Sequence, residues 1–157
     1  MLSDTYFSQW EDSQIVLQQI AENYPEDHNW KPQPDMNSLG AIAKHVVLVN
    51  FHILKNYAKR DTPNPPKELF DKESWNKNDL KKGISITDDL VRKYLSTIND
   101  SDLTREAYRW KFEDGKEVIY PIAWVVNQFK VHYAWHNAQL KLYLKLMGVD
   151  TRKIRGM

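Results

Sequence analysis

Apolar residues recur at helical spacing in four stretches of the chain, with prolines and polar clusters between them. The first stretch, Leu2 to Tyr24, carries Tyr6, Trp10, Ile15, Leu17 and Ile20 at apolar positions. It stops before Pro25, which cannot continue a helical hydrogen-bond ladder. A proline-containing loop, Pro25 to Asn37, leads to a second helix that Asn37 or Ser38 can cap, with Leu39, Ile42, Val46, Val49 and Ile53 on one face and an end near Ala58. Residues Lys59 to Asn78 hold three prolines among charged side chains, so they are expected to form a long connection with a short helical turn around Leu69 and Phe70.

A third helix is expected from Ser85 to Ile98, because Ser85 and Asp88 have capping-box spacing and Leu90, Val91, Tyr94, Leu95 and Ile98 form an apolar side. Between Leu103 and Tyr120, aromatic and β-branched residues flank Asp114-Gly115, a dipeptide that favours the tight turn of a β-hairpin. The fourth helix has the clearest ends: Pro121 suits its first position and Gly148 its C-terminal cap. Its stripe runs through Ile122, Val125, Phe129, Tyr133, Leu140, Leu144 and Met147. The basic tail Arg152 to Met157 reads as a frayed end.

Composition restricts the functions such a chain can have. With 157 residues, 41% hydrophobic and 12% aromatic, one domain with a packed core is expected over residues 1–157. Twenty-two Lys and Arg against 21 Asp and Glu leave a net charge of +1, so no overall field attracts nucleic acid or anionic lipid. No apolar run approaches the ~18 residues that cross a bilayer, and a soluble cytoplasmic protein is the default expectation. Zero cysteines exclude disulfides, thiolate ligands and cysteine nucleophiles. The aromatics Trp110, Phe112, Trp124 and Trp135 are expected in the core or at a dimer contact.

Chemistry is concentrated in the histidines. His132 and His136 are four apart on the last helix, one turn from each other, so two imidazoles can converge on one metal ion. At about 100° per residue, with His132 at zero, His136 falls at about 40°, Gln139 at about −20° and Tyr143 at about 20°, a narrow polar sector beside the apolar stripe. On the second helix His45 borders the apolar face and His52 falls almost beneath it; His28 stands apart in the first loop.

Ser38-Leu39-Gly40-Ala41-Ile42-Ala43-Lys44-His45 on the second helix, His132-x-x-x-His136-Asn137-Ala138-Gln139-Leu140 on the last and the closing Tyr143-Leu144-Lys145-Leu146-Met147-Gly148 resemble the DinB/YfiT-like superfamily of metalloenzymes over essentially the whole chain. The resemblance implies an all-α fold, an antiparallel four-helix bundle of up-down-down-up topology with a long crossover between helices two and three; the small hairpin before the last helix, read from Asp114-Gly115, is added to it. The resemblance also implies His45, His132 and His136 as ligands of a divalent ion (Ni, Zn or Fe), and a homodimer; Gln139 and Tyr143 are candidates either to hydrogen-bond the ligand imidazoles or to pack the helix. His52 matches no family ligand. The chain has Asn137-Ala138 where many members have Arg-Gly.

Relatives of this kind include transferases that use a low-molecular-weight thiol and enzymes treated as hydrolases. The expected function is accordingly metal-dependent chemistry on a small-molecule substrate; the alternative is a non-catalytic helical module with structural histidines. Tyr133 stands where a zincin needs Glu, and no Glu-x-x-His, glycine-rich phosphate loop or Gly-x-Ser-x-Gly elbow occurs.

Overall fold

The structure, a computed structural model, describes residues 2–155. Its elements are α1 (Leu2–Glu22), α2 (Leu39–His52) continuing into a π-turn (Ile53–Tyr57), α3 (Lys67–Phe70), α4 (Lys77–Leu95), β1 (Glu106–Lys111), β2 (Glu117–Pro121) and α5 (Ile122–Leu146), with short 3-10 turns at Asp100–Asp102 and Thr151–Lys153. The chain is thus mostly helical with one two-stranded antiparallel sheet. Among the described residues, no helix is long and apolar enough to cross a membrane.

The four long helices pack as a ring in which α1 and α2 each touch both α4 and α5. Each contributes its apolar stripe to one core: Trp10, Leu17 and Ile20 from α1, Val46 and Val47 from α2, Leu80 and Val91 from α4, and Phe129, Tyr133 and Leu140 from α5. The stripe of α1 is phased slightly differently from the sequence expectation, with Val16 buried and Ile15 partly in solvent. Burying large aliphatic and aromatic side chains stabilises such a core by about 1.5–3 kcal/mol each.

Helix α2 starts as expected, because the Ser38 hydroxyl accepts the Ala41 N–H at 3.1 Å. Its regular part ends at His52, six residues before the expected end at Ala58, and the chain widens into the π-turn, closed by the Ala58 N–H donating to the Ile53 carbonyl. Helix α4 differs more: it begins at Lys77 rather than Ser85. Its capping box is Asn76 with Asp79, each side chain accepting the other's backbone N–H, and Ser85 lies in mid-helix.

The physical reason is Trp75. Its fully buried indole packs on Gly83, where an added Cβ would lie 2.4 Å from the ring, so a residue that resembles a helix breaker is a packing position. On its other side the Trp75 backbone crosses Gly40, whose added Cβ would lie 2.6 Å from the Trp75 carbonyl oxygen. The indole N–H donates to the Leu69 carbonyl at 2.9 Å, which anchors α3 where a helical turn is expected.

The expected hairpin forms, with Trp110 opposite Val118 and Tyr108 opposite Tyr120. Gly115 at φ 84° supplies the left-handed residue that its turn requires. The hairpin packs against α5 and the π-turn. At the end of α5, Val149 and Gly148 donate to the Leu144 and Lys145 carbonyls with Gly148 at φ 82°, a Schellman cap.

The basic tail departs from the frayed end expected of it as far as Arg155: Ile154 is buried, its carbonyl accepts from Lys141, and the Arg155 N–H donates to Gln19. Gly156 and Met157 lie outside the described residues. Of the two places expected for the aromatics, core or dimer contact, the core is the wrong one for three of them. Trp110, Phe112 and Trp135 are exposed rather than in the core, which draws its large aromatics instead from Trp10, Trp75, Phe129, Tyr133 and Tyr143. Trp124 is half-buried against the core edge, 4.3 Å from the Tyr120 ring centroid.

Candidate functional site

His45 reaches the site from α2 and His132 and His136 from α5, the two helices being in direct contact. One ring nitrogen from each lies within 4.8 Å of the other two. Ring centroids are 5.1 Å apart for His45 and His132, 4.9 Å for His45 and His136, and 4.5 Å for His132 and His136. Three imidazoles from two helices therefore converge.

Hydrogen bonding fixes which ring atoms are free. The Gln139 side-chain oxygen lies 3.0 Å from His136 Nδ1 and accepts its N–H, an arrangement that in a neutral ring leaves the lone pair on Nε2. Nε2 of His132 is buried and has no hydrogen-bond partner among the described residues. Burial pushes the His132 pKa down to about 3, with the neighbouring His136 and His45 rings adding to the effect. His45, although its ring reaches solvent, is also held below the ordinary histidine value, mainly by burial and then by His136. Both are neutral near pH 7, the state in which imidazole donates a lone pair.

These features fit a divalent cation. Three imidazoles suit Zn, Ni or Fe, and a buried nitrogen without a partner is an uncommon group that a metal bond would satisfy. With three protein ligands, a tetrahedral or octahedral ion keeps positions for water or substrate.

Two openings reach the site. A cleft of about 350 Å³ is lined by Asn37, Ala41, Ile42, His45, His136 and Gln139. A wider, open groove of about 670 Å³ also reaches His45 and includes Lys44, Val49, His52, Tyr57 and Glu73. The two long loops thus supply rim residues, Asn37 and Glu73. Periodicity in the sequence could not single these out; a search of positions one turn from His45 would have found Ala41 and Val49.

Tyr143 is buried and its hydroxyl donates to the Asn37 carbonyl at 3.4 Å, so it holds the cleft's rim. Asn137, at the position of the family departure, is also buried and donates to the Ser13 carbonyl at 2.8 Å. It ties α5 to α1, away from the histidine face. His52 lies two turns along α2 from His45, outside the three-histidine group but on the same groove. His28 stays in its loop, with Nδ1 3.1 Å from the Glu26 carbonyl oxygen.

Comparison with known proteins agrees with this architecture. The solved structure of a DinB-like protein from Bacillus cereus superposes with a TM-score of 0.70, covering 98% of this chain and 96% of its own, at 18% sequence identity. At that identity the likeness is one of fold. No curated protein matches the sequence. The model of the DinB superfamily matches residues 9–140, a span that includes His45, His132, His136 and Gln139. With that match over most of its length, the chain belongs to the DinB superfamily.

Proposed function

We propose that this protein binds a divalent metal ion through His45, His132 and His136 and uses it to transform a small molecule. The observation that carries the reading is the convergence of three imidazoles within 4.8 Å, one of them with a buried, unpartnered Nε2. A divalent ion held there supplies a positive charge that makes a water or thiol more acidic and so more nucleophilic at neutral pH. The rest is the chain's own work. His132 stays neutral, α5 directs both His132 and His136, Gln139 accepts the Nδ1 hydrogen of His136, and the open groove beside His45 admits a substrate. That access favours an enzyme over a module with structural histidines, whose rings would be closed off by side chains. A low-molecular-weight thiol or a water is the co-substrate this chemistry accommodates.

The same reading takes the four long helices as an antiparallel bundle of up-down-down-up order. Supporting contacts are Glu22 with Lys81 and Glu11 with Arg92 between α1 and α4, and Gln9 with Lys130 and Ser13 with Asn137 between α1 and α5. It also takes the protein as a homodimer, because Trp135, Leu142 and Leu146 form an exposed apolar stripe on α5. Light scattering should find a dimer that Trp135→Glu converts to monomer; a monomeric parent protein would remove that part of the reading.

The central test is elemental analysis of untagged protein purified without added metal, followed by Zn and Ni titration. About one ion per chain is expected, lost in both His45→Ala and His132→Ala while the helical circular dichroism is kept. A parent protein that takes up neither metal rejects the proposal.

A further inference from the structure

His52 is not one of the three convergent histidines, yet it is held more firmly than an exposed side chain needs to be. The Asn56 amide nitrogen lies 3.0 Å from His52 Nδ1 and 3.2 Å from the His52 carbonyl oxygen. A carbonyl oxygen can only accept, so the Asn56 atom facing it is the NH₂ group, and the same group donates to Nδ1. Nδ1 therefore carries no hydrogen, and the nitrogen left over, Nε2, is an N–H donor.

The ring plane is fixed as well. Tyr57 stands edge-on to it, with centroids 5.2 Å apart at 87°. In an α-helix a residue five positions on lies about 140° around the axis, out of reach. The π-turn, with its wider repeat, brings Tyr57 beside His52. Tyr57 is in turn packed against Tyr108 of the hairpin, at 4.9 Å, and Trp124 of α5, at 5.5 Å. Three elements thus buttress one surface imidazole at a π-turn, a feature that recurs at functional sites.

His52 and His45 share one face of α2, seven residues and about 10 Å apart, and line the same groove, whose wall between them includes Leu48 and Val49. Lys44 does not compete for a ligand there, since its ammonium is engaged by the Phe70 and Lys72 carbonyls at 2.7 and 2.6 Å. Glu73 also lines the groove and follows Lys72, whose carbonyl holds Lys44.

We propose that His52 is a substrate-binding residue whose Nε2–H receives the carboxylate of an elongated, apolar-centred small molecule, about two helix turns long, with its reacting end at the three histidines. This rests on the metal-binding reading above and adds the substrate class and the residue that selects it. A donor pre-set by Asn56 and Tyr57 favours an acceptor over a donor or an alkyl end, because an unmatched polar group in a bound complex costs affinity.

The probes are two hydroxamic acids on the zinc-loaded protein, measured by calorimetry: octanohydroxamic acid and its carboxylate-ended counterpart, suberic acid monohydroxamate. The parent protein should bind the carboxylate-ended probe roughly tenfold more tightly, a factor of the size that a charge-assisted hydrogen bond provides. In His52→Ala that preference should vanish while octanohydroxamate binds as before, which reports an intact zinc site and fold. In His52→Gln, whose amide can still donate, part of it should return. Equal affinities in the parent protein, a preference that survives His52→Ala, or no binding of either probe to zinc-loaded protein would each overturn the assignment. Failure to take up zinc at all is a different result, which removes the metal site and this inference together.

Discussion

At the scale of single residues, the candidate site depends on imidazoles presenting particular nitrogens. Gln139 does this for His136 by accepting its Nδ1 hydrogen, and it does so from one turn along the same helix. Removing such an outer partner commonly weakens metal binding by about 10–100-fold. Gln139→Ala is therefore expected to reduce zinc affinity by at least about tenfold, read by competition with a chromophoric chelator, with thermal unfolding of the metal-free protein little changed. Affinity equal to the parent protein's would show that α5 alone orients His136. Gln139 was legible in the sequence because it shares the sector of His132 and His136. The burial of His132 Nε2 without a partner among the described residues was not, since it depends on how α2 and α5 approach.

At the scale of elements, helix ends separate what local chemistry fixes from what packing fixes. The Ser38 cap of α2, the Gly115 turn and the Gly148 cap of α5 occur where local residues specify them, because each satisfies backbone groups within a few positions. The start of α4 did not follow the first plausible box. Asn76 with Asp79 caps the helix, and Ser85 is an exposed mid-helix residue. Asn76→Ala should thus cost about 1 kcal/mol, seen as a lower urea midpoint with an unchanged slope. Ser85→Ala should stay within about 0.5 kcal/mol of the parent. Reversed sizes would place the start of the helix at Ser85.

At the scale of the whole molecule, Trp75 links the long connection to two helices through Gly40 and Gly83. Gly83→Ala pushes a methyl into a fixed indole, and overpacking of this kind costs about 1–3 kcal/mol. A loss within that range is expected by chemical denaturation, whereas a gain would mean that helix propensity outweighs the clash. Metal should act at the same scale, because its ligands join α2 to α5. Free zinc at about 1,000 times its dissociation constant stabilises a folded state by about 4 kcal/mol. Differential scanning should record a zinc-dependent rise in unfolding temperature that is absent in His132→Ala; an equal rise in the variant would locate the zinc elsewhere.

Sequence alone determined the helical stripes, the local caps, the hairpin turn and the pairing of His132 with His136, because each depends on side chains within about one turn of one another. It also carried His45, but through family pattern rather than geometry. Tertiary structure decided the rest. It exposed Trp135 and Trp110 while burying Trp75, ordered the tail through Ile154 and moved the start of α4. It also brought Tyr57 across a π-turn to His52. Packing between elements is the main reason: Trp75 against Gly40, Tyr57 against Tyr108 and Trp124, and the tail against Gln19 are contacts that no local run of residues specifies. Hydrophobicity and helical period show which face of an element is apolar, and do not show which neighbour covers it.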